Sequence, residues 1–375
     1  MKGAFLYVNA GKGHYTPAKA LCDSFIRSGH DAVLEDLFIV FDTPFWEKFC
    51  ILDWRFLLHH PHIEPYSHAI TDNRLSFFLI RWQGLMKKHY EGFLRWYEKE
   101  KPDFIVSTNF IGGVFLPDAC EKAGIKIPVY QYCADVFFTP KTGINNKLAK
   151  MYFSSDIGIE DGRGKKQREE TLSLLPFPLH DNFEFYKKVS KSEARKTLGL
   201  KDKFTILYNL GGEGIGSASI LRTMAKEGLD VQVVTIGGKS NSTKKALDKV
   251  KEEFPDFDLI EAGFVSNIEV YLNASDLQIG KAGANSLMEA VYMRVPCLVT
   301  SVLFAFRRSL IFFDRYKTGW GADKKKEQMK IIRDLVSNPE RFEEIEKNFE
   351  KIPYVFSSEM ARDQIIKDTE EFYRQ

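Results

Sequence analysis

The sequence predicts an α/β protein built from two Rossmann-like domains, and three observations support this prediction. Each half of the chain opens with an apolar segment of strand length, at residues 4–9 and again at 204–209, and a glycine-rich turn follows each one. In both halves, further apolar segments alternate with segments of helical pattern, which is typical of a parallel sheet. The chain of 375 residues also exceeds the size at which single domains usually stop growing, about 250–300 residues.

The first half begins with a strand, a turn, a helix and a second strand. Residues 4–9 are apolar and predict a buried strand, after which Gly11 and Gly13 allow a tight turn. Thr16 suits an N-cap and proline suits the first helical position, so a helix is predicted from Pro17 to Arg27. Further strands are predicted at 31–35, 104–108 and 127–131, with a helix at 114–123.

The segment at about 44–101 does not alternate as strands would. It mixes Trp, Phe and Tyr with Lys and Arg, and it predicts a helical insertion in the first domain. Amphipathic helices of this composition can bury their apolar face in the headgroup region of a membrane, and Arg81 to Lys88 is the best candidate. The competing interpretation is an ordinary apolar stripe that faces the protein core.

The second half repeats the pattern from about Lys203, with a glycine-rich turn at Leu210 to Ser217. The charged stretch 187–203 is the candidate linker. We therefore expect one domain at 1–187, a second at 188–357, and an amphipathic C-terminal helix within 358–375 that packs back on the first domain. Strands of the second domain are predicted at 204–209, 231–236, 259–261, 277–279 and 297–300.

Composition excludes several classes of function. A net charge of only +2 gives no global field for nucleic acid, so no nucleic-acid partner is expected. The five cysteines are scattered without a CxxC pair, which favours buried thiols in a reducing compartment. His59, His60, His62 and His68 lie close in sequence, but no cysteine or carboxylate constellation supports a metal site. No window supplies the roughly 20 apolar residues of a spanning helix, and a cytoplasmic location is expected.

Two turns carry the first candidate site residues. His14 leaves the first turn at the carboxyl end of a strand, where a general base could act because imidazole titrates near neutral pH. A histidine that only caps the helix is the competing interpretation. The second turn has four glycines in six positions and includes Gly212, Glu213 and Gly214. It predicts either close approach of backbone N–H groups to a phosphate or acceptor headgroup, or a mobile loop.

A third segment follows a strand of the second domain and opens a helix. It reads Gly283-Ala284-Asn285-Ser286, and its backbone amides could bind a diphosphate. Glu289 lies one turn further on and could accept hydrogen bonds from ribose hydroxyls. A plain capping motif would explain the serine and the glutamate but leaves the glycines unexplained.

Four motifs occur in order along nearly the whole chain. They are Gly11-Lys12-Gly13-His14 followed by Ala18, then Gly211 to Gly216, then Gly263-Phe264-Val265-Ser266-Asn267 with Ala274-Ser275-Asp276, and then Lys281-Ala282-Gly283 through Glu289-Ala290. With them the chain resembles the GT-B glycosyltransferases of the monogalactosyldiacylglycerol synthase and processive diacylglycerol glucosyltransferase group. These are relatives of the enzyme that adds N-acetylglucosamine to lipid I.

The resemblance implies a UDP-sugar donor held by the C-terminal domain and a lipid acceptor met by the N-terminal domain. Transfer in this group inverts the anomeric carbon and uses no covalent enzyme intermediate, no cofactor and no obligatory metal. His14 would be the base that activates the acceptor hydroxyl, and Asp135 would orient His14 or the acceptor. Phe264 and Val265 would hold the uracil, Gly283 to Ser286 the diphosphate and Glu289 the ribose.

In two places the sequence departs from the pattern of this group. After the strand at 297–300, proteins of the group have a Pro-Gly-Gln-Glu loop followed by an Asn, and these polar residues bind the donor sugar. In this chain, residues 301–310 are largely apolar and include Arg307 and Arg308. Thr139 also replaces the usual His. Three interpretations compete. One is that an arginine recognises a different donor, such as a sugar that carries a carboxylate. Alternatively, the loop has moved and another residue contacts the sugar, or the protein binds a nucleotide sugar without transferring it.

The sequence thus predicts an inverting, UDP-sugar-dependent glycosyltransferase. It would move a hexose or hexuronic acid to diacylglycerol or a related glycolipid. The enzyme itself would be attached to the anionic inner face of the cell membrane. Two other classes stay open. One is a non-catalytic nucleotide-sugar-binding protein. The other is an enzyme similar to UDP-N-acetylglucosamine epimerase, which would need extra carboxylates, of which Asp135 and Glu213 are the obvious ones.

Overall fold

The computed structural model describes residues 1–9, 12–60, 63–211, 218–238, 240–281, 283–301 and 307–375. These residues form two compact units. The first consists of Met1–Glu184, Arg307, Arg308 and Tyr354–Gln375, and the second consists of the described residues between 185 and 301 together with Ser309–Pro353. In the described part of the chain, each unit contains one six-stranded sheet.

Strands and helices alternate along most of the chain. The strands are β1 Lys2–Tyr7, β2 Asp31–Asp36, β3 Phe104–Ser107, β4 Val129–Tyr132, β5 Lys150–Phe153, β6 Leu172–Leu174, β7 Thr205–Asn209, β8 Gln232–Ile236, β9 Asp258–Gly263, β10 Leu277–Lys281, β11 Cys297–Ser301 and β12 Gly319–Gly321. The helices are α1 Lys12–Arg27, α2 Leu37–Val40, α3 Pro44–His59, α4 Glu64–Thr71, α5 Arg74–Gly84, α6 Lys87–Glu100, α7 Phe110–Ala123, α8 Asp156–Gly164, α9 Asp181–Glu184, α10 Lys191–Thr197, α11 Ala218–Lys226, α12 Asn241–Glu253, α13 Ile268–Asn273, α14 Ala284–Met293, α15 Arg308–Tyr316, α16 Lys325–Ser337, α17 Pro339–Phe349 and α18 Ser358–Arg374.

The sheet of the first unit has the strand order β2-β1-β3-β4-β5-β6, and each neighbouring pair is parallel. Ala4 and Leu6 of β1 lie in one hydrophobic core, and Phe5 lies in the other, because alternate side chains point to opposite faces. On the second face, Phe5, Phe25 and Phe104 pack with ring centroids 5.1 to 5.9 Å apart. The sheet is therefore buried on both sides, as parallel sheets usually are.

Helix α1 begins at Lys12, so the predicted N-cap at Thr16 and the predicted first residue at Pro17 are wrong. Pro17 is instead the sixth residue of α1 and lies inside the helix, where it has no N–H to donate to the carbonyl of Gly13. The earlier start places Gly13 and His14 in the first turn of α1.

The C-terminal helix α18 packs on the first unit, which confirms the prediction that it returns there. Ser24 Oγ of α1 donates to the carbonyl of Ser358 over 3.1 Å. Tyr152 donates its hydroxyl to Asp368 Oδ2 over 2.6 Å, and Ile365 is fully buried beside the sheet. Hydrogen bonds and apolar contacts therefore both hold this helix.

The aromatic insertion is helical, as predicted. Helix α6 joins the core through Phe93 and Trp96. Helix α5 packs closely on α7, since a Cβ added at Gly84 would lie 2.5 Å from the ring of Phe115. No described helix is long and apolar enough to cross a bilayer.

The sheet of the second unit has the order β12-β11-β10-β7-β8-β9 and is again parallel throughout. Part of the charged stretch 187–203 belongs to this unit as α10. Its Arg195 is buried and donates to the carbonyl of Ala274 over 3.0 Å and to Asp276 Oδ2 over 2.5 Å. Paired, hydrogen-bonded groups thus hold this charged segment to the residues between α13 and β10.

Candidate active site

His14 lies in the first turn of α1, just after the carboxyl end of β1. Its Nδ1 lies 2.8 Å from the carbonyl oxygen of Thr108, the residue that follows β3. A carbonyl oxygen can only accept a hydrogen bond, so this contact assigns the proton of the neutral ring to Nδ1. Nε2 then carries the lone pair, which is the state that a general base requires.

Thr108 contacts His14 a second time, in the opposite direction. Its Oγ1 donates to the carbonyl of His14 over 2.8 Å, and its own N–H donates to the carbonyl of Leu6 over 2.9 Å. Sequence reasoning missed Thr108, although polar residues at a strand end were an available signal. Both roles predicted for Asp135, orientation of His14 and orientation of the acceptor, stay predictions.

A buried carboxylate holds the chain just before the first glycine-rich turn. Asp36, at the end of β2, accepts hydrogen bonds from the backbone N–H groups of Asn9 over 3.1 Å and Phe38 over 2.7 Å. Burial raises the pKa of Asp36 to about 6. Gly11 lies outside the described residues. At Gly13 an added Cβ would meet no atom of the described residues within 4 Å.

Asp135 follows β4, is half-buried and precedes a strained residue. Val136 has a φ of +40°, which a β-branched residue rarely adopts. Ser155 Oγ donates to the Val136 carbonyl over 2.7 Å, and Gly158 leaves room for that oxygen, which a Cβ would approach to 2.3 Å. Strain held in this way is common at functional sites, and here it fixes the backbone next to Asp135.

In the second unit, the predicted diphosphate-binding segment forms the start of α14. Gly283 is the N-cap residue, with φ −66° and ψ 127°. Ala284, Asn285 and Ser286 form the first turn, where backbone N–H groups have no partner within the helix. The positive end of the helix dipole also lies here, so this turn favours an anion.

Asn209 ends β7 and joins this helix start to the second glycine-rich turn. Its Nδ2 donates to Ser286 Oγ over 2.8 Å, and its Oδ1 accepts from the N–H of Gly211 over 2.9 Å. Sequence reasoning missed Asn209, although a polar residue between a strand and a glycine-rich turn was an available signal. The predicted binding residues of that turn lie outside the described residues: Gly212, Glu213 and Gly214.

Glu289 is half-buried on α14 and lies near a second carboxyl group. Burial, together with the charge of Glu269 on α13, raises the pKa of Glu289 to about 8. The ionised form of Glu289 is therefore less favoured than that of an ordinary glutamate. Sequence reasoning identified Glu289 as an acceptor for ribose hydroxyls but missed Glu269, which changes its protonation.

Phe264 follows β9, and its side chain is 78% exposed. The preceding Gly263 has a φ of +70°, a left-handed conformation that turns the chain at the end of the strand. Val265 follows and is half-buried. An aromatic ring presented in this way can stack on a planar base.

Thr139 and Arg308, which lie at the two departures from the group pattern, both contact the carboxylate of Asp161 in the first unit. The side chain of Asp161 is fully buried and accepts from the backbone N–H of Thr139 over 2.9 Å and from Lys165 Nζ over 2.7 Å. Arg308 Nε lies 2.7 Å from its other oxygen, and Arg307 is exposed. The guanidinium of Arg308 thus already neutralises a carboxylate of the chain itself.

Among the described residues, no group of three His, Cys, Asp or Glu side chains is arranged to hold a metal ion. The histidine cluster is described only in part, since His62 and the side chains of His59 and His68 lie outside the description. The absence of a required metal therefore stays a prediction.

Comparison with known sequences gives one family and one group of relatives. Residues 217–307 match the model of the glycosyltransferase family 28 C-terminal domain. The processive diacylglycerol β-glucosyltransferases of Bacillus thuringiensis (strain Al Hakam) and Bacillus cereus (strain AH820) are each 26% identical to this chain over 317 residues. Those alignments cover 80% of this chain and 76% of each relative.

Several solved structures share the fold over nearly the whole chain. Anabaena Alr3699/HepE in complex with UDP and glucose has a TM-score of 0.61 at 14% identity, covering 99% of this chain and 100% of that one. Acinetobacter baumannii MurG has a TM-score of 0.62 at 13% identity, covering 98% and 99%. The UDP-GlcNAc 2-epimerase of Neisseria meningitidis has a TM-score of 0.62 at 12% identity, covering 99% and 100%.

These matches define the class of the protein: it is a glycosyltransferase with the GT-B fold, as the sequence predicted. The group that it resembles is that of the processive diacylglycerol glucosyltransferases, which confirms the predicted resemblance. An epimerase shares the fold as well, so the fold does not distinguish a glycosyltransferase from an epimerase. That distinction rests on the family model and on the sequence relatives.

Proposed function

We propose that the chain is an inverting glycosyltransferase that moves a hexose or hexuronic acid from UDP to the hydroxyl of diacylglycerol or a related membrane glycolipid. The observation that carries this proposal is the hydrogen bond between His14 Nδ1 and the carbonyl of Thr108. It leaves Nε2 of a ring at the carboxyl edge of a parallel sheet ready to accept a proton. Ligands of such sheets bind at this edge.

In the proposed reaction, His14 Nε2 takes the proton of the acceptor hydroxyl as its oxygen bonds to the anomeric carbon of the sugar. The bond between that carbon and the UDP oxygen breaks, and its electron pair leaves with UDP. Attack opposite the leaving group inverts the anomeric carbon. Backbone amides in the first turn of α14 would stabilise the negative charge that develops on the diphosphate.

The second unit would hold the donor through three features. The exposed ring of Phe264 is suited to stacking on uracil, with Val265 beside it, and Glu289 is suited to hydrogen bonds with the ribose. We propose that no bound metal is required, because the helix start at 283–286 would itself neutralise part of the diphosphate charge. Glucose is the first sugar to test, since the sequence relatives are named as β-glucosyltransferases.

We also propose that α3, α4 and α5 bind a membrane surface. Their apolar side chains recur at helical spacing and are 50–75% exposed, so these stripes do not face the core of the protein. Amphipathic helices with exposed aromatic residues bury that face in the headgroup region. The stripes consist of Phe45, Phe49, Leu52 and Phe56 on α3, Tyr66 and Ile70 on α4, and Leu75, Phe78, Leu79 and Trp82 on α5.

Charges near these stripes favour an anionic lipid surface, such as the inner face of the cell membrane. Lys48, Arg74, Lys87 and Lys88 are all exposed on the same helices or at the start of α6. Within the predicted segment 81–88, Trp82 and Met86 are exposed as expected of a membrane contact. Arg81 has a different role, because it pairs with the buried Asp118 of α7.

A donor screen tests the proposed function. Purified protein is incubated with phosphatidylglycerol vesicles that contain diacylglycerol, one UDP-sugar at a time, with and without EDTA. The sugars are UDP-glucose, UDP-galactose, UDP-glucuronic acid and UDP-N-acetylglucosamine. We expect one donor to give both UDP and an inverted glycolipid, with EDTA present. Binding of UDP without any product would contradict transfer to lipid, and epimerised UDP-N-acetylglucosamine without glycolipid would favour the epimerase class.

A further inference from the structure

We propose that Thr108 is a positioning residue for the reaction: it fixes both the tautomer and the orientation of the His14 ring. The inference rests on the proposed role of His14 as the general base. It concerns a residue outside the glycine-rich turns and outside the motifs that carry the resemblance to the group.

Two hydrogen bonds join Thr108 and His14 in opposite directions. The ring Nδ1–H of His14 donates to the carbonyl of Thr108 over 2.8 Å, and the hydroxyl of Thr108 donates to the carbonyl of His14 over 2.8 Å. The first bond sets the ring, and the second sets the backbone from which the ring projects. Together they leave the His14 side chain little freedom to rotate away from a substrate.

Thr108 can orient His14 because its own position is fixed on both sides. Its N–H donates to the carbonyl of Leu6, which extends the pairing of β3 with β1 by one residue. The next residue, Asn109, is the N-cap of α7, and its side chain accepts from the N–H of Ile111 over 2.9 Å. Thr108 itself is only 1% exposed. The carbonyl that meets His14 is therefore held between a strand and a helix start.

The partner of the His14 ring is a backbone carbonyl. Many catalytic histidines are oriented by a carboxylate, whereas the backbone carbonyl of Thr108 fixes the tautomer without a full negative charge beside the ring. A base held by two hydrogen bonds also loses little entropy as the acceptor hydroxyl approaches. The hydroxyl of Thr108 is the part of this arrangement that a substitution can remove.

The test compares Thr108→Val with Thr108→Ser. Valine keeps the shape but removes the hydroxyl, and serine keeps the hydroxyl. In the vesicle assay we expect Thr108→Val to lower kcat by about tenfold to a hundredfold, since small displacements of a catalytic group have effects of this size. KM for the donor and Kd for UDP should stay within about twofold. Thr108→Ser should restore kcat to within about threefold of the wild-type value.

A matched control removes a buried hydroxyl elsewhere in the same unit. Thr171 is 2% exposed, and its Oγ1 donates to the carbonyl of Arg168 over 2.7 Å. Thr171→Val should leave kcat close to wild type. Equal losses of kcat in Thr171→Val and Thr108→Val would overturn the positioning role, because they would show a general effect of a lost hydrogen bond.

A second readout does not depend on activity. In protein with ¹⁵N-labelled histidine, ring ¹⁵N shifts report the tautomer, and His14→Ala assigns the His14 signals. The backbone carbonyl of Thr108 remains in Thr108→Val, so we expect the Nδ1–H tautomer in all three proteins. Without the hydroxyl the ring should be held less firmly, so we expect exchange-broadened His14 signals in Thr108→Val and sharp signals in the wild type and in Thr108→Ser, with Thr108→Ala as the alternative if valine does not fold. His14 ring signals that are as sharp in the folded variant as in the wild type, or a wild-type tautomer with the proton on Nε2, would overturn the proposal. Retained activity in His14→Ala would instead refute the proposed function.

Discussion

The side-chain amide of Asn209 donates to the hydroxyl of Ser286 over 2.8 Å, which joins the end of β7 to the first turn of α14. The same side chain accepts the N–H of Gly211, at the start of the second glycine-rich turn. One residue therefore positions two of the segments that would surround the diphosphate of the donor.

Substitution of Asn209 should weaken nucleotide binding. Asn209→Ala removes both hydrogen bonds and frees the helix start, so we expect the Kd for UDP, measured by calorimetry, to rise about tenfold, equivalent to about 1.4 kcal/mol. Asn209→Asp keeps the acceptor for Gly211 but adds a negative charge, and it should weaken binding further. Asn273→Ala, which removes a side-chain hydrogen bond to Val189 elsewhere in the unit, is the control. Equal Kd values in Asn209→Ala and the wild type would contradict this role.

Glu289 should make UDP binding depend on pH. Its pKa of about 8 in the free protein, raised by burial and by Glu269, lies above that of an ordinary glutamate. If ribose hydroxyls donate to the carboxylate, binding favours the ionised form, so affinity should rise as the pH increases from 6.5 to about 8 and then level off. Calorimetry at pH 7 in buffers of different ionisation enthalpy should detect proton release on binding.

The control for this pH dependence is Glu289→Gln, which cannot ionise at this position. Titration of the phosphate groups of UDP continues in the variant, so the difference between the two proteins isolates the contribution of Glu289. Identical pH profiles for the two proteins would show that Glu289 does not ionise when UDP binds.

Loss of the apolar stripes should weaken membrane binding. Full burial of an apolar side chain contributes about 1.5–3 kcal/mol, so the double variant Phe49→Glu/Phe78→Glu should bind vesicles at least about tenfold more weakly. Co-sedimentation with phosphatidylglycerol vesicles measures this change, and circular dichroism checks the fold. Ile26→Glu, at a 54% exposed position of α1, is the matched control. Equal loss of binding in Ile26→Glu would indicate a general effect of added negative charge.

Ser155 should couple stability to activity through Val136. Ser155→Ala removes the N-cap bond to the N–H of Gly158 and the bond to the Val136 carbonyl. We expect the free energy of unfolding in urea to fall by about 1–2 kcal/mol and kcat to fall as well, because Asp135 precedes Val136. Ser155→Thr keeps both bonds and should behave as the wild type. A loss of stability with an unchanged kcat would show that Asp135 does not need this arrangement.

Local patterns in the sequence were sufficient for most of the fold. Apolar runs predicted the central strands of both sheets, and the aromatic segment predicted a helical insertion. The strands β5, β6 and β12 were missed; β6 and β12 have only three residues each, which carry too little pattern to recognise. The start of α1 was misplaced because the prediction placed Pro17 at the first helical position, the position that proline favours, whereas the helix contains it as the sixth residue.

The candidate site was less accessible to sequence reasoning, because its contacts join distant residues. His14 was identified, but its partner Thr108 lies 94 positions away, and 77 positions separate Asn209 from Ser286. Neither pair has a local signature. The mixture of aromatic and basic residues likewise predicted amphipathic helices in the insertion but left open whether their apolar faces meet the core or a membrane.

The most direct test of the central claim compares wild-type protein with His14→Ala in the vesicle assay, using the donor that the screen identifies. The measured quantities are glycolipid formed per enzyme and the Kd for UDP. In His14→Ala we expect glycolipid formation to fall by at least about a hundredfold, which is the effect of losing a general base. The affinity for UDP should be unchanged. The control variant His30→Ala should be fully active. Glycolipid formation by His14→Ala at the wild-type rate would contradict the assignment of His14 as the base.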